Sequence, residues 1–362
     1  MGKLAVYKYF AAMFLVAQIV VTIFTFVALF GGDVNPAGNT ARAMLVYVLP
    51  LLILANVLLL FYWLIRRRWY FALIPVITIA CCIPYIGTLY QFGTPDKTTI
   101  RGEGLKIATY NVANFSRETS GFMAQDILGK MKGMEIGILC LQEYNETSGD
   151  KNNTETFKKY FPYAVKGKED MIIFSRYPIK GSKTISFDNT NNSAMWADIE
   201  VKGREIRIFN CHLQTTGINH SLGKAAKMEA VQQQLGYDVS KSRALSMIYG
   251  NYTMGIIIRA GQAITIANEK RNSDKPCIVC GDFNDVPYSF TYKTMLGNMV
   301  DGFKECGAGY MTTHRGSTRS ERGMLSNRID YIFHDKSLKG LTYLRGGMTI
   351  SDHYPIYMKF AI

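Results

Sequence analysis

Three long stretches near the start of the chain contain no charged residue, and they restrict the possible folds more than any other feature of this sequence. They run from Phe10 to Phe30, from Ala43 to Ile65 and from Trp69 to Tyr90, with 21, 23 and 22 residues. A helix of about 20 apolar residues spans the roughly 30 Å hydrocarbon core of a bilayer. The sequence therefore predicts a membrane anchor over residues 1–90, with three transmembrane helices at about 10–30, 43–65 and 69–90.

Apolar stretches of this length also occur outside membrane anchors. A buried helical hairpin of a soluble protein would account for one of them, but it accounts poorly for three in the first ninety residues. A cleaved signal peptide is an alternative for the first stretch, although 21 apolar residues are many for such a segment.

Basic residues around the stretches predict the orientation of the anchor. Lys3 and Lys8 precede the first stretch, and Arg66–Arg68 separate the second from the third. Because cytoplasmic loops are enriched in Lys and Arg, these residues are expected in the cytoplasm. Three crossings then put everything after Tyr90 on the other side. We expect a multi-pass protein of the inner (cytoplasmic) membrane with its larger part in the periplasm, and removal of the first stretch would not change that side.

The rest of the chain is expected to be one domain. Residues 91–104, which include Gly93, Pro95 and Gly102, are predicted to be a linker, and residues 105–362 are enough for one large core. Residues 101–362 hold 34 Lys and Arg against 26 Asp and Glu. This positive balance suits anionic partners such as nucleic acid or phospholipid head groups, although it also fits an ordinary solvated surface.

The cysteines predict neither disulfides nor a zinc site. The seven cysteines and five histidines lack zinc-ligand spacing. Cys140, Cys211 and Cys280 lie in apolar runs typical of strands, where cysteine behaves as a small hydrophobic residue. We expect core thiols.

Short apolar runs alternate with polar loops and helical stretches after Leu105, a pattern typical of stacked sheets flanked by helices. Residues capable of chemistry follow these runs repeatedly. The clearest example is Cys277–Cys280, which Gly281 ends and which Asp282 and Asn284 follow. Alternate residues leaving a strand point the same way, so these two side chains can reach one small volume. A tight turn would explain this motif alone, but comparable residues also follow the other runs: Asn111, Glu143, His212, Asp330, Asp352 and His353.

In this order the motifs resemble the endonuclease/exonuclease/phosphatase superfamily, which includes DNase I-like nucleases, inositol polyphosphate phosphatases and neutral sphingomyelinases. The resemblance covers about 70% of the chain, from Leu105 onward. It implies an α+β fold, the DNase I-like four-layer α/β/β/α sandwich, here preceded by the three transmembrane helices. The matching segments are Tyr110-Asn111-Val112, Leu141-Gln142-Glu143, Asn210-Cys211-His212-Leu213, Gly281-Asp282-Phe283-Asn284, Arg328-Ile329-Asp330-Tyr331 and Ser351-Asp352-His353.

The resemblance also implies a metal cofactor. Glu143 is expected to be the principal ligand of Mg²⁺ or Mn²⁺, hard cations that bind oxygen ligands. Asn111 and Asp352 are expected to complete or neighbour that shell. Whether one metal ion or two take part is left open.

Five further residues are expected to act in catalysis. Asp282 and Asn284 would position the attacking water and the phosphate. Asp330 would hold His353, which would act either as general base or as a cation against the phosphate. His212 would donate to a phosphate oxygen as negative charge develops.

The sequence thus predicts a membrane-anchored, divalent-metal-dependent phosphodiesterase. A nuclease is preferred because no apolar insertion for binding acyl chains is evident after Leu105. The alternatives are a lipid head-group phosphodiesterase of the sphingomyelinase or phospholipase C type, a phosphatase, and an inactive binding module on an anchor. Arg259, three residues before Gln262 on one predicted helix, is expected to contact substrate or to form a buried salt bridge.

Overall fold

A computed structural model describes residues 3–94, 99–115, 122–168, 170–188, 190–215, 241–315, 327–348 and 350–362. These residues form two compact units. The first contains Met1–Thr88 together with Val286–Lys293, and the second contains Leu89–Asp285 and Thr294–Ile362.

The first unit is helical. Two of its segments, Lys8–Asp33 and Thr40–Ile65, are each 26 residues long and apolar enough to cross a membrane. Their outward side chains are mostly apolar, and Leu51, Leu58 and Phe61 are each more than half exposed. The helices of this unit are α1 (Lys3–Leu29), α2 (Thr40–Met44), α3 (Leu49–Ile65), α4 (Trp69–Cys81) and α5 (Ile83–Ile86).

The third apolar helix is shorter than the sequence predicts. The predicted helix at 69–90 is interrupted at Cys82, so α4 has 13 residues and α5 only four. Pro84 explains the interruption, because proline lacks the N–H that would continue the helix and its ring clashes with the carbonyl group four residues earlier. Pro75 lies inside α4.

The segment Val286–Lys293 is packed into the first unit. The rings of Tyr288 and Tyr85 meet edge to face with centroids 5.5 Å apart, and Lys293 Nζ lies 2.7 Å from Asp33 Oδ1. Gly32 permits this packing, because a Cβ atom there would lie 1.8 Å from the carbonyl oxygen of Tyr288.

The second unit is built on two mixed sheets of six strands. Their strand orders are β12-β14-β11-β10-β9-β8 and β15-β16-β2-β3-β7-β6, and two-stranded ribbons join β1 to β13 and β4 to β5. The strands are β1 (Tyr90–Gln91), β2 (Leu105–Asn111), β3 (Ile138–Gln142), β4 (Thr147–Ser148), β5 (Lys151–Asn152), β6 (Tyr163–Lys166), β7 (Ile172–Ser175), β8 (Ile179–Ser186), β9 (Ser193–Val201), β10 (Arg204–His212), β11 (Cys277–Asp282), β12 (Val300–Asp301), β13 (Gly309–Tyr310), β14 (Asp330–His334), β15 (Lys339–Arg345) and β16 (Ile356–Ala361).

The two sheets pack face to face through one apolar core. Ile107 and Cys140 of one sheet and Ile208, Ile278 and Cys280 of the other are fully buried in it. The predicted core thiols Cys140 and Cys280 are therefore confirmed. Within the sheets, β2 is parallel to β3 and β10 is parallel to β11, whereas the other paired strands are antiparallel.

Helices cover the outer faces of both sheets. The helices of this unit are α6 (Met123–Gly133), α7 (Asn153–Lys158), α8 (Lys241–Arg271), α9 (Phe290–Leu296, which begins in the first unit) and α10 (Gly302–Cys306). Met123, Ile127 and Met131 of α6 pack with strand side chains in a second apolar cluster. On the opposite face, Glu269 of α8 accepts a hydrogen bond from Trp196 of β9. The result is the four-layer α/β/β/α sandwich of DNase I-like proteins that the sequence predicts.

One predicted helix is described only in part, and part of the predicted linker belongs to the second unit. The predicted helix that carries Arg259 and Gln262 is described from Lys241, where α8 begins, and residues 216–240 lie outside the described residues. Within the predicted linker, Gln91 pairs with Gly309, and Ile100 is fully buried.

Candidate active site

The strand registers bring the predicted residues to one edge of the sandwich. His212, at the end of β10, is paired with Asp282, at the end of the parallel strand β11. Asp330 opens the antiparallel strand β14 opposite Asp282. In the other sheet, Asn111 ends β2 beside the end of the parallel strand β3, so that Glu143 follows at the same edge.

Asn111 connects a strand end of one sheet to a strand end of the other. Asn111 Nδ2 donates to Asp282 Oδ2 at 3.1 Å and to Glu143 Oε1 at 2.9 Å. The Asn111 oxygen accepts from the backbone N–H of Ala113 at 3.0 Å. In this orientation Asn111 links two carboxylates by its amide N–H groups, while its oxygen is directed elsewhere.

Glu143 presents its carboxylate to the solvent side of the site. Its φ of +48° is in the left-handed region, which turns the chain sharply after β3. The side chain is about one-third exposed, and His212 Nε2 lies 3.7 Å from Oε1. An accessible carboxylate beside other oxygen donors suits a hard divalent cation.

Asp282, Asp330 and His353 form a buried cluster whose potential ligand atoms all lie within 4.8 Å of one another. His353 Nδ1 lies 3.0 Å from Asp330 Oδ2, and its Nε2 lies 3.6 Å from Asp282 Oδ2. The three residues could hold a metal ion. They are also arranged as a carboxylate–imidazole pair directed at a second carboxylate.

Electrostatics in this cluster favour a protonated histidine. Burial alone would lower the pKa of His353, but the negative charges of Asp330 and Asp282 raise it to about 10. Burial raises the pKa of Asp282, and His353 opposes this increase. At neutral pH the imidazole is therefore a cation that partly compensates two buried carboxylates.

A second histidine–carboxylate pair lies on the other side of Asp282. His212 Nδ1 is 3.0 Å from Asp170 Oδ2. Burial would lower the pKa of His212, but Asp170, with Asp282 and Glu143, raises it to about 9. Asp170 Oδ1 is buried with no hydrogen-bond partner among the described residues.

Asp170 was not predicted from the sequence, although a signal exists. It stands just before β7, which is antiparallel to β3, so the start of β7 lies at the edge where β3 ends. His314 was not predicted either. It lies outside the strands but forms an isolated antiparallel β-bridge with His353, and the centroids of the two rings are 4.8 Å apart. Its Nε2 is 3.9 Å from Asp352 Oδ2.

Asn284 and Asp352 also lie at this edge. The Asn284 backbone N–H donates to Asp282 Oδ1 at 2.9 Å, and its side-chain amide donates to Leu213 O at 2.9 Å. Asn284 therefore fixes the orientation of Asp282. Asp352 adjoins Ser351, whose hydroxyl donates to Asn111 O at 2.8 Å.

Arg259 forms the buried salt bridge, one of the two alternatives from the sequence. It is fully buried, and its Nε donates to Asp285 Oδ2 at 3.0 Å. Its Nη1 donates to the backbone oxygen of Gln214, two residues after His212, and the Gln214 backbone N–H donates to Gln262 Oε1. Arg259 thus holds in place the chain that carries His212.

Arg328 is a structural residue as well. Both of its terminal nitrogens donate to Asp301, at 2.8 and 2.6 Å. Asp330 pairs with His353 instead of Arg328.

Two family models match parts of the chain. The model of the Endonuclease/Exonuclease/phosphatase family matches residues 108–353, and a domain of unknown function matches residues 11–89. No curated protein matches the chain.

Solved structures of low sequence identity share the fold. An endonuclease/exonuclease/phosphatase family protein from Leptotrichia buccalis has 18% identity and a TM-score of 0.50, with 71% of this chain and 100% of that chain covered. D. rerio TDP2 complexed with single strand DNA product has 15% identity and a TM-score of 0.51, with 72% and 100% covered. An endonuclease/exonuclease/phosphatase from Beutenbergia cavernae has 15% identity and a TM-score of 0.50, with 72% of each chain covered.

The family match extends over well more than half of the chain and includes every strand-end residue described above. The chain therefore belongs to the endonuclease/exonuclease/phosphatase family and is a hydrolase that acts on phosphate esters.

Proposed function

We propose that the chain is a membrane-anchored, divalent-metal-dependent phosphodiesterase. The observation that carries this proposal is the link from Glu143 through Asn111 to Asp282, which joins an oxygen-rich cation site to two histidine–carboxylate pairs. Such an arrangement offers a cation, an activated water and positive charge within one small volume, as hydrolysis of a phosphodiester requires.

Glu143 is the proposed principal metal ligand, and Asp352 is proposed to complete or neighbour its shell. Asn111 would reach the metal only after its amide rotates, because its oxygen now accepts from Ala113; otherwise it orients Glu143. The donors are hard oxygens, which fit Mg²⁺ or Mn²⁺. The bound cation would neutralise phosphate charge in the transition state.

The charges of the site support distinct roles for its side chains. Because His353 is held protonated, it serves as a cation against the phosphate, and Asp282, oriented by Asn284, accepts the proton of the attacking water. His212, protonated beside Asp170, donates to a phosphate oxygen or to the leaving oxygen. Of the two roles that the sequence left open for His353, this assignment takes the cation, and Asp282 is then the general base.

Purified full-length protein in detergent provides the test, with bis(p-nitrophenyl) phosphate as substrate. Chelation should abolish turnover, and Mg²⁺ or Mn²⁺ should restore it. Glu143→Gln and Asp282→Asn should each lower the rate about 10²–10⁴-fold, whereas Lys158→Ala, on the exposed face of α7, should not. Full activity in chelator, or an unaffected Asp282→Asn enzyme, would refute the mechanism. No turnover with either cation would support the inactive binding module.

We also propose a location in the inner membrane, with the second unit in the periplasm. Two helices of sufficient length, the shorter α4 and α5, and the basic residues Lys8 and Arg66–Arg68 support this location. Nucleic acid and phospholipid head groups both supply phosphodiesters at such a surface.

A further inference from the structure

A polar cavity of about 410 Å³ opens beside Glu143. Residues from two segments of the second unit line it: Asn114, Asn145, Thr147, Ser148, Gly149 and Lys151. Asn114 follows β2, and Asn145 precedes β4. The other four belong to the ribbon of β4 and β5 and its turn. The cavity uses none of the catalytic groups assigned above.

Asn114, which lines the cavity, also contacts the residue of the proposed metal site. Asn114 Nδ2 donates to Glu143 Oε2 at 3.3 Å, and the Asn114 backbone N–H donates to Glu143 O at 2.8 Å. Asn145 follows Glu143 by two residues. A phosphate ester bound at Glu143 can therefore extend its organic group into this cavity.

The cavity lining suits hydroxyl groups. Asn114 and Asn145 each offer an amide donor and acceptor, and Thr147 and Ser148 offer hydroxyls. Ser148 Oγ accepts from Asn153 Nδ2 at 3.0 Å, which leaves its own proton free to donate. These groups can satisfy both the donor and the acceptor functions of a hydroxyl.

The same lining suits neither a nucleobase nor an acyl chain. Phe115 also lines the cavity, but it is only 4% exposed, so its ring offers little surface for stacking. The nearby ring of Phe122 is covered by Lys151 Nζ, 4.6 Å from its centroid. Acyl chains require a mostly apolar wall, which the described lining lacks.

We propose that this cavity binds a sugar or polyol, a hydroxyl-rich organic group. Its phosphate would be bound at the metal site of Glu143. The proposal rests on the proposed function and specifies its substrate class. It differs from the nuclease preferred on sequence alone. Lys151 adds a positive charge, so an additional anionic substituent is tolerated.

Competitive inhibition tests the proposal independently of which ester group leaves. In the assay, the protein is given methyl p-nitrophenyl phosphate as the reporter substrate with Mg²⁺ or Mn²⁺, while three phosphate monoesters compete: glucose 6-phosphate, thymidine 5′-monophosphate and butyl phosphate. All three have the same phosphate group, so differences in inhibition constant report on the organic group. Glucose 6-phosphate should inhibit best. Equal constants, or tighter inhibition by the thymidine ester, would overturn the assignment of the cavity.

Substitutions locate the effect. Ser148→Ala and Asn145→Ala should each raise the inhibition constant of glucose 6-phosphate about 3- to 10-fold, as expected for one lost hydrogen bond, and raise that of butyl phosphate less. Ser148→Thr retains the hydroxyl and should restore tight inhibition. Lys158→Ala, on the exposed face of α7, is the matched control and should change none of the constants. An equal rise for both monoesters would contradict the proposal.

The experiment separates this proposal from the proposed function. If the reporter is not hydrolysed with either cation, the proposed function fails. If it is hydrolysed but the inhibitors do not differ, only the cavity proposal fails. Release of glycerol phosphate from phosphatidylglycerol nanodiscs would identify a lipid source of the polyol, whereas hydrolysis of glucose 6-phosphate without that release would identify a soluble one. Either result supports a hydroxyl-rich substrate.

Discussion

Each histidine of the site is paired with a buried or partly buried carboxylate, and this pairing determines its charge. His353 contacts Asp330 at 3.0 Å, and His212 contacts Asp170 at the same distance. Without these carboxylates, burial would favour neutral imidazoles, because a low-dielectric environment penalises charge. The pairs therefore make the site cationic where an anionic substrate is to bind.

The Asp330→Asn substitution should lower the pKa of His353 from about 10 toward the ordinary value of 6.5, because a carboxylate that stabilises the imidazolium is lost. Histidine NMR titration of the chelator-treated protein measures this, with His353→Gln to assign the signal. Asp126→Asn, on the exposed face of α6, is the control. A titration of His353 at the same pH in wild type and Asp330→Asn would contradict the pairing.

The raised pKa of His353 also predicts how stability depends on pH. The folded value lies above the unfolded one, so protonation stabilises the fold. This contribution is complete below about pH 6.5 and is lost as the pH rises through about 10. The thermal midpoint of wild type should therefore fall over this range more than that of Asp330→Asn. Parallel curves for the two proteins would exclude the effect.

Arg259 gives a prediction that separates a structural role from a role in substrate binding. Its replacement by Met leaves the Asp285 carboxylate, 2% exposed, without its buried partner. Breaking a buried pair in this way costs about 3–5 kcal/mol, so the thermal midpoint of Arg259→Met should fall markedly. Arg259→Met with Asp285→Asn should recover part of the loss. A raised KM at unchanged thermal midpoint would instead indicate substrate contact.

At the level of elements, the sequence predicts best the site residues that directly follow an apolar run. Asp282 and Asn284 follow an apolar run, and so does Glu143, and all three lie at the predicted edge. Asp170 precedes its run, and only the antiparallel pairing of β7 with β3 brings it there. Asp330, which opens β14, and His353, which precedes β16, were predicted because they belong to segments that match the family. Asp170 belongs to no such segment, so it was missed.

Other differences also have physical causes. The short α4 follows from Pro84, beside which one helix ends and the next begins. His314 could not be predicted, because it reaches His353 through an isolated bridge between distant segments. The substrate cavity depends on the β4–β5 ribbon, which has only two residues in each strand and leaves no periodic pattern.

Asn56 connects the helices of the first unit. It is fully buried, its Nδ2 donates to Thr25 Oγ1 at 2.9 Å, and its Oδ1 accepts from Gln18 Nε2 at 3.0 Å. Hydrogen bonds between helices in membranes contribute about 0.6 kcal/mol on average and up to about 1.7. Asn56→Leu should therefore reduce resistance to denaturing detergent modestly. Leu58→Ala, on the exposed face of α3, is the control. Equal resistance of wild type and Asn56→Leu would exclude a stabilising role.

At the scale of the whole molecule, the packing of Val286–Lys293 into the first unit gives a steric test. Gly32→Ala would place a Cβ atom 1.8 Å from Tyr288 O, so the backbone must shift. The control is Gly38→Ala, whose Cβ atom would lie 3.5 Å from Asn35 O, an ordinary contact. Only Gly32→Ala should lower the thermal midpoint of the full-length protein. Equal midpoints for the two variants would show that this segment is not held as described.

The side of the membrane on which catalysis occurs depends on how many helices cross. If only Lys8–Asp33 and Thr40–Ile65 cross, the second unit is on the same side as the amino terminus; a third crossing by α4 and α5 puts it on the opposite side. From Trp69 to Ile86 there are 18 residues, about 27 Å at 1.5 Å per residue, close to the hydrocarbon thickness.

Arg66–Arg68, all exposed between α3 and α4, are expected on the cytoplasmic side with either two or three crossings. The length of Trp69–Ile86 therefore favours the third crossing, whereas the basic residues set the side of the amino terminus. We therefore expect alkaline phosphatase fused after Ile362 to be active, since it requires the periplasm. Green fluorescent protein fused at the same position should be dark, because it would be exported from the cytoplasm. The same reporters placed after Arg68 should give the reverse pattern, which controls for expression. Fluorescence after Ile362 with an inactive phosphatase fusion would establish two crossings and place the hydrolase, and the substrates available to it, in the cytoplasm.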